Sequence, residues 1–378
     1  MIHRAKLLSV YCLLSFTAFG TGSDSLPGDH ARDEVEKLLQ HAEDIKGTDP
    51  KAALNSAEEA LDIAKKQSDS LAIVHAYIGA GKVCNYLANH QKALDYLLKA
   101  VEMSERNGYK KELGDAYNET GGVFYNEGDY ERAGKYFAKA LEVRLYLKDK
   151  EDIAGSLNNV GETYRLKGDK KTALEYYNRA LAINTELGKK RWLSINCANI
   201  GYIYLDEKNF PKALEFFRKQ YDHAVSGGDK KDLASPLNNL GRYYLETGDA
   251  KSALDYYGKG MTAAENVFAT NDMLDALKGL SDAYALSGDH KLAYEFLCRY
   301  ILKKEELQNN EKEKQLLELE LPFEKTSQEK RILELEHEGR IHSGVLASRL
   351  QLIYFLIAGL ALLGATTAFL LYLQRKKN

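Results

Sequence analysis

A spacing of 40 residues recurs along this sequence without a single insertion, and it dictates how the chain can build a core. Seven alanines stand at this interval: Ala53, Ala93, Ala133, Ala173, Ala213, Ala253 and Ala293. A glycine lies twelve residues before each of the five central alanines, and this second column consists of Gly81, Gly121, Gly161, Gly201 and Gly241. A fixed period of this length indicates a repeat architecture, in which each unit buries its apolar face against its neighbours.

Each unit contains two stretches in which apolar residues recur at intervals of three and four, which is typical of one face of an α-helix. Between the two stretches of four units lies a Gly-Asp pair, as in Gly168-Asp169, with Lys208-Asn209 and Asn89-His90 as variants. We expect the glycine to end the first helix in the left-handed conformation and Asp or Asn to cap the second. The small residues of the two columns then lie where antiparallel helices approach closely.

One unit carries the full motif: Leu157-Asn-Asn-Val-Gly161, Tyr164, Gly168-Asp169, Ala173-Leu174, Tyr177 and Ala180-Leu181. This pattern resembles the tetratricopeptide repeat, whose basic unit has about 34 residues. The longer period is similar to that of the kinesin light chain, Pins and bacterial Rap relatives. The resemblance implies an all-α solenoid of about seven helix hairpins over residues 31–300. Its end units are atypical, because His41 and Ser281 stand in the glycine column, and terminal repeats must act as caps.

The candidate ligand-binding residues lie on the first helix of each pair, which lines the concave face of such a solenoid. They are Asn118, Asn158, Asn159, Asn199, Asn238, Asn239, Arg165 and Arg242. In the Pins and kinesin light chain relatives, similar asparagine ladders hold the backbone of an extended peptide, since an amide both donates and accepts hydrogen bonds. The resemblance therefore implies a peptide or protein ligand, and the two arginines would select an acidic one. In the alternative interpretation, the asparagines bond neighbouring helices within the scaffold.

Catalytic and metal-binding motifs are not found in the sequence. His337 and His342 are five residues apart, whereas the zinc-protease motif places its histidines four apart. The segment from Gly79 to Lys82 lacks the earlier glycine and the following Ser or Thr of a phosphate-binding loop. A net charge of -3 argues against a surface for nucleic acid. We therefore expect a non-catalytic protein without a cofactor, a metal or a nucleic-acid partner.

Both ends of the chain carry an apolar segment. Residues 1–22 combine a basic start, an apolar run and small residues, which are the parts of a secretory signal peptide. Residues 350–373 include 22 consecutive uncharged residues, enough for a helix to cross a hydrocarbon layer of ~30 Å. The basic tail, residues 374–378, favours a cytoplasmic C-terminus. We predict a single-pass cell-membrane protein whose repeats face the periplasm or the exterior.

Residues 301–349 carry dense mixed charge with a short apolar seam at Leu316, Leu319 and Phe323. This composition predicts a charged helical stalk with weak coiled-coil character, or else a solvated single helix. Small residues four apart in the span, such as Ala361 and Ala365, let membrane helices approach each other. A weak homodimer through the stalk and the span is therefore a further expectation.

The order of signal peptide, repeats, charged helix and span resembles the sensor halves of Bacteroidetes-type membrane regulators. In those proteins a histidine kinase or a helix-turn-helix domain follows the span, whereas no such domain follows it in this sequence. We therefore expect a membrane-anchored scaffold for peptide or protein partners. One alternative is a receptor component that signals through a separate kinase or transcription factor. Another, if residues 1–22 are not a signal peptide, is a cytosolic tail-anchored adaptor.

Overall fold

The computed structural model describes residues 27–309, together with Tyr354, Gly364 and Thr367, which are helical. Over residues 27–309 the chain forms fourteen α-helices and one 3₁₀ turn, with no strand. Helices α1 to α13 are Pro27–Ile45, Pro50–Lys66, Ser70–Tyr86, His90–Asn107, Lys110–Asn126, Tyr130–Leu147, Lys150–Leu166, Lys170–Leu187, Lys190–Asp206, Phe210–Gly227, Ala234–Glu246, Ala250–Asn266 and Thr270–Ser287. Helix α14 covers residues 290–309, and the 3₁₀ turn, Lys230–Asp232, precedes α11.

Consecutive helices pair as antiparallel hairpins, from α1 with α2 to α13 with α14, and each hairpin packs against the next. The first helices of neighbouring hairpins also touch, as α1 touches α3 and α11 touches α13. The core is consequently a row of buried clusters, each shared between adjacent helices rather than gathered at one centre. The predicted all-α solenoid of about seven hairpins is confirmed for this part of the chain.

The glycine column allows the first helix of a hairpin to touch a side chain of the second helix directly. A β-carbon at Gly161 would lie 2.9 Å from Cε1 of Tyr177, and both Tyr177 and its neighbour along the solenoid, Phe217, are fully buried. Ser281 stands in the glycine column of the last hairpin and donates a hydrogen bond to the carbonyl of Ala293 at 2.9 Å. The predicted close approach of the two helices is therefore present.

The turns within the hairpins follow the predicted chemistry. Gly168 adopts a left-handed φ of 86°, and the carboxylate of Asp169 accepts the backbone N–H of Thr172 at 3.0 Å, which caps the second helix. In the second hairpin the turn lies one residue earlier than predicted. There Ala88 takes the left-handed conformation with φ 63°, and Asn89 is the cap of α4 rather than the residue that ends α3.

The first hairpin differs from the alignment by one residue. His41 is exposed, whereas Ala42 is buried in the same cluster as Ala53. The cause is a shorter turn, because the N–H of Asp49 bonds to a carbonyl four residues back, at Ile45. The corresponding bonds in later hairpins reach five residues back. A small residue therefore fills the glycine position here as well, and the assignment of His41 to it was wrong.

Several predicted segments lie outside the described residues. These are the signal peptide at residues 1–22, the stalk beyond residue 309, the basic tail at 374–378 and most of the span at 350–373. Among the helices that the structure describes, none combines the length and apolar character needed to cross a membrane. The signal peptide, stalk and span stay predictions.

Gly161 and Gly155 of α7 provide a matched test of the glycine column. A β-carbon at Gly161 would press on the buried Tyr177 ring, whereas one at Gly155 would meet nothing within 4 Å. We expect Gly161→Ala to lower the free energy of unfolding by about 1–3 kcal/mol through overpacking. Gly155→Ala should raise it by about 0.5–1 kcal/mol through helix propensity. Urea unfolding followed by circular dichroism measures both, and equal effects would contradict the assignment.

Candidate functional site

The first helices of the hairpins line three adjoining pockets, which together we call the groove. The central pocket has a volume of about 440 Å³ and is lined chiefly by residues of α5, α7 and α9. A second pocket extends from α5 to α3 and α1, and a third extends from α7 and α9 to α11. The central and third pockets share Glu162 and Asn199.

Amide hydrogen bonds connect the first helices beneath the central pocket. Nδ2 of Asn159 on α7 donates to Oδ1 of Asn118 on α5 at 2.9 Å. Nδ2 of Asn199 on α9 donates to Oδ1 of Asn158 on α7, also at 2.9 Å. All four side chains are half-buried and line the pocket. The structure thus brings together four predicted site residues, which both bond neighbouring helices and face the groove.

Two further asparagines, which the sequence analysis missed, support this arrangement from behind. Nδ2 of Asn184 on α8 donates to Oδ1 of Asn196 at 2.7 Å, and Nδ2 of Asn196 donates to Oδ1 of Asn158 at 3.3 Å. Both Asn184 and Asn196 are buried. The signal in the sequence is at Asn196, which stands in the column that holds alanine in the second and third hairpins, as at Ala116.

Asn238 and Asn239 are buried and line none of the three pockets. Nδ2 of Asn239 donates to Oε1 of Gln220 at 2.9 Å, while its Oδ1 accepts the hydroxyl of Tyr202. Nδ2 of Asn238 donates to a backbone carbonyl of α13 at 2.9 Å, and its Oδ1 lies 2.1 Å from the position that a β-carbon on Gly260 would take. At these two positions the structure favours the interpretation that the asparagines bond neighbouring helices.

The two predicted arginines occupy different environments. Nε and Nη2 of Arg165 donate to the two carboxylate oxygens of Glu162 at 2.9 and 2.6 Å. Although burial opposes ionisation of Glu162, hydrogen bonds from Arg165 and Tyr177 lower its pKa. Arg242 is exposed and lies 5.3 Å from the centre of the Tyr202 ring. The charge of Arg165 is therefore already neutralised within the groove.

Glu119 lines the groove and is a third residue that the sequence analysis missed. It precedes Gly121 by two residues, and so occupies the column of Asn159 and Asn199. Its carboxylate lines the central pocket and accepts a hydrogen bond from Nδ2 of Asn118 at 3.3 Å. Burial raises its pKa, and the positive charge of Lys82 opposes this rise. Its place in the column is the signal that identifies it.

Two family models, both described as tetratricopeptide repeat, match this chain. One matches residues 112–186 and 193–266, and the other matches residues 74–107. The matched residues include most of the groove and its asparagines. This chain is a tetratricopeptide-repeat protein.

Solved structures share the fold at low sequence identity. The apo form of RapI is 18% identical with a TM-score of 0.60, covering 73% of this chain and 99% of its own. A Rap protein complexed with Competence and Sporulation Factor is 18% identical with a TM-score of 0.56, and the match covers 73% of this chain and 76% of the Rap protein. A signal-transduction ATPase with a tetratricopeptide repeat sensor, from Pyrococcus horikoshii, is 20% identical with a TM-score of 0.58. This match covers 72% of this chain and 42% of the ATPase. No curated protein matches the sequence.

Glu162 links the stability of the fold to pH. Because its pKa is lowered on folding, its stabilising contribution is fully present above the unfolded pKa of about 4.3 and is lost as the pH falls through the lower folded pKa. We expect Glu162→Gln to unfold at lower urea concentration than the wild type at neutral pH, with the difference shrinking below about pH 4. The exposed Glu175→Gln serves as a control without such a difference. A difference that is the same at every pH would disprove the link.

Proposed function

We propose that this protein is a non-catalytic scaffold that binds an extended peptide, or a peptide segment of a protein partner, in the groove. The observation that carries the proposal is a set of amide oxygen and nitrogen atoms in the central pocket that form no hydrogen bond within residues 27–309. Asn159 and Asn199 donate Nδ2 to neighbouring helices, so their Oδ1 atoms are acceptors without a partner in residues 27–309. Asn158 accepts through Oδ1 and keeps Nδ2 as a donor. An extended peptide presents both a donor and an acceptor at each residue.

The solenoid supports binding through its rigidity. Hydrogen bonds between α5, α7 and α9 hold the amides in place before any ligand arrives. A preformed site lowers the entropy that is lost when a ligand binds. The Rap protein complexed with Competence and Sporulation Factor, which has the same fold, supports a ligand-binding role for such a solenoid. In the described residues no group of three or more His, Cys, Asp or Glu side chains is arranged to hold a metal ion.

We also propose that residues 350–373 anchor this scaffold in the cell membrane, with the repeats in the periplasm or outside the cell. The uncharged run within that segment and the signal-like residues 1–22 support this placement. The basic tail, residues 374–378, would lie in the cytoplasm. A weak homodimer through the stalk and span belongs to the same proposal.

A second candidate is a receptor component that passes its signal to a separate kinase or transcription factor. The order of segments, similar to that of Bacteroidetes-type sensor halves, favours it. A third is a tail-anchored adaptor whose repeats lie in the cytosol. The receptor component would have the same membrane topology as the proposed scaffold, whereas the tail-anchored adaptor would have the opposite one.

Alanine at Asn159 and Asn199 removes two unused acceptors of the groove, together with the hydrogen bonds that these side chains donate to Asn118 and Asn158, and leaves the buried core side chains unchanged. We expect this double variant to lose at least tenfold in affinity for peptides captured from a random peptide library, because the peptide N–H groups are left without acceptors. The circular dichroism spectrum should be unchanged. Asn178→Ala on the exposed face of α8 is the matched control and should bind as the wild type does. Unchanged capture by the double variant would refute the groove as the binding site.

Protease digestion of cells determines the topology. With the outer membrane permeabilised and the inner membrane intact, added protease should degrade the repeats, and a tag at Asn378 should be protected. Repeats that become accessible only after lysis of the inner membrane would establish the cytosolic adaptor instead.

A further inference from the structure

We propose that the groove selects a peptide with a cationic side chain, lysine or arginine, and that Glu119 is the residue that receives it. This inference rests on the proposed peptide-binding function and specifies the ligand of the same site. It differs from the expectation of an acidic ligand, which relied on Arg165 and Arg242.

The position of Glu119 gives its carboxylate access to the ligand. It stands in the column of Asn159 and Asn199, so it continues the row of groove-facing groups onto α5. Gly122, one turn further along α5, leaves open space beside it, since the nearest atom to a β-carbon there is 3.9 Å away. Within residues 27–309 Glu119 forms no ion pair, and Asn118 is its hydrogen-bond donor.

The amides around Glu119 are held in one orientation by the asparagines behind them. Oδ1 of Asn196 accepts a hydrogen bond from Asn184, so Nδ2 of Asn196 points the other way and donates to Oδ1 of Asn158. With Asn158 fixed in this way, Asn199 must donate to it and present Oδ1 to the pocket. The pocket therefore offers more acceptors than donors. A lysine ammonium has three donors and no acceptor, and an arginine guanidinium has five donors and no acceptor.

The charge along the groove also favours a cationic ligand. The first two pockets are lined by six carboxylates: Glu36, Glu43, Glu112, Asp115, Glu119 and Glu162. Three of the six are neutralised by ion pairs, with Lys46, Arg144 and Arg165. Of the remaining three, Glu112 lies 3.3 Å from Nε2 of His75, Glu36 shares the second pocket with Lys82, and Glu119 forms no ion pair within residues 27–309. This excess of negative charge attracts a cationic peptide, and Arg242 lies beyond it in the third pocket.

Burial explains why a ligand cation is favourable at this position. A half-buried carboxylate without an ion-pair partner is costly, and burial raises the pKa of Glu119 although the positive charge of Lys82 opposes the rise. An ammonium or guanidinium group against it forms a charge-assisted hydrogen bond, which is about twice as strong as a neutral one. The amides alone bind any backbone, so Glu119 supplies the selectivity.

The inference is tested by selecting, from a random peptide library, the peptides that bind the full-length protein. We expect wild-type protein to enrich lysine or arginine at one peptide position over aspartate and glutamate. Glu119→Gln should still capture peptides but lose that enrichment, and its affinity for a selected cationic peptide should fall about ten- to a hundredfold. The same peptide with alanine in place of its cation should bind wild type and Glu119→Gln equally. Glu175→Gln, an exposed carboxylate on α8, is the matched control.

The outcomes separate this inference from the proposed function. Capture without a cationic preference, or a preference unchanged in Glu119→Gln, overturns the role of Glu119 and leaves peptide binding in place. Enrichment of acidic residues overturns the charge argument. Absence of any capture by the wild type overturns both the inference and the proposed function.

Discussion

The five central hairpins depend on the contact between a glycine of the first helix and one large side chain of the second. In five consecutive hairpins a β-carbon on the glycine would come within 2.6 to 2.9 Å of that side chain. The five side chains are Leu97, Phe137, Tyr177, Phe217 and Tyr257. This contact fixes both the distance between the two helices and the rotation of the first. Because the rotation repeats, residues that are 40 apart in the sequence become neighbours along the groove.

The groove amides have two roles that support each other. A hydrogen bond from Asn159 to Asn118 ties α7 to α5 and uses one end of each amide. The other end of Asn159 faces the pocket, so the bond that stabilises the stack also orients the group offered to a ligand. Interpretations of these asparagines as scaffold residues or as ligand residues are therefore compatible. Glu119 adds a carboxylate to the same row, and in the proposed complex it gives the site a preference beyond the peptide backbone.

The fold could be predicted from the sequence more completely than the site. Glycines and capping residues act within a few positions of themselves, so Gly168 and Asp169 predict their own turn. Hydrogen bonds between helices depend instead on which partner lies opposite. Asn199 faces the pocket, while Asn239 in the same column is buried against Gln220, because Gln220 replaces the alanine of earlier hairpins. Asn196 was missed for the same reason, since its partner Asn184 lies on another helix.

Photo-crosslinking measures most directly whether the groove holds the ligand. Ile195 lines the central pocket, and Arg179 is exposed on a second helix, α8. A photoreactive amino acid is placed at one of the two positions in the full chain, and a peptide selected from the library is added before irradiation. We expect a crosslink to the peptide from position 195 and none from position 179. A crosslink from position 179 alone would contradict this expectation.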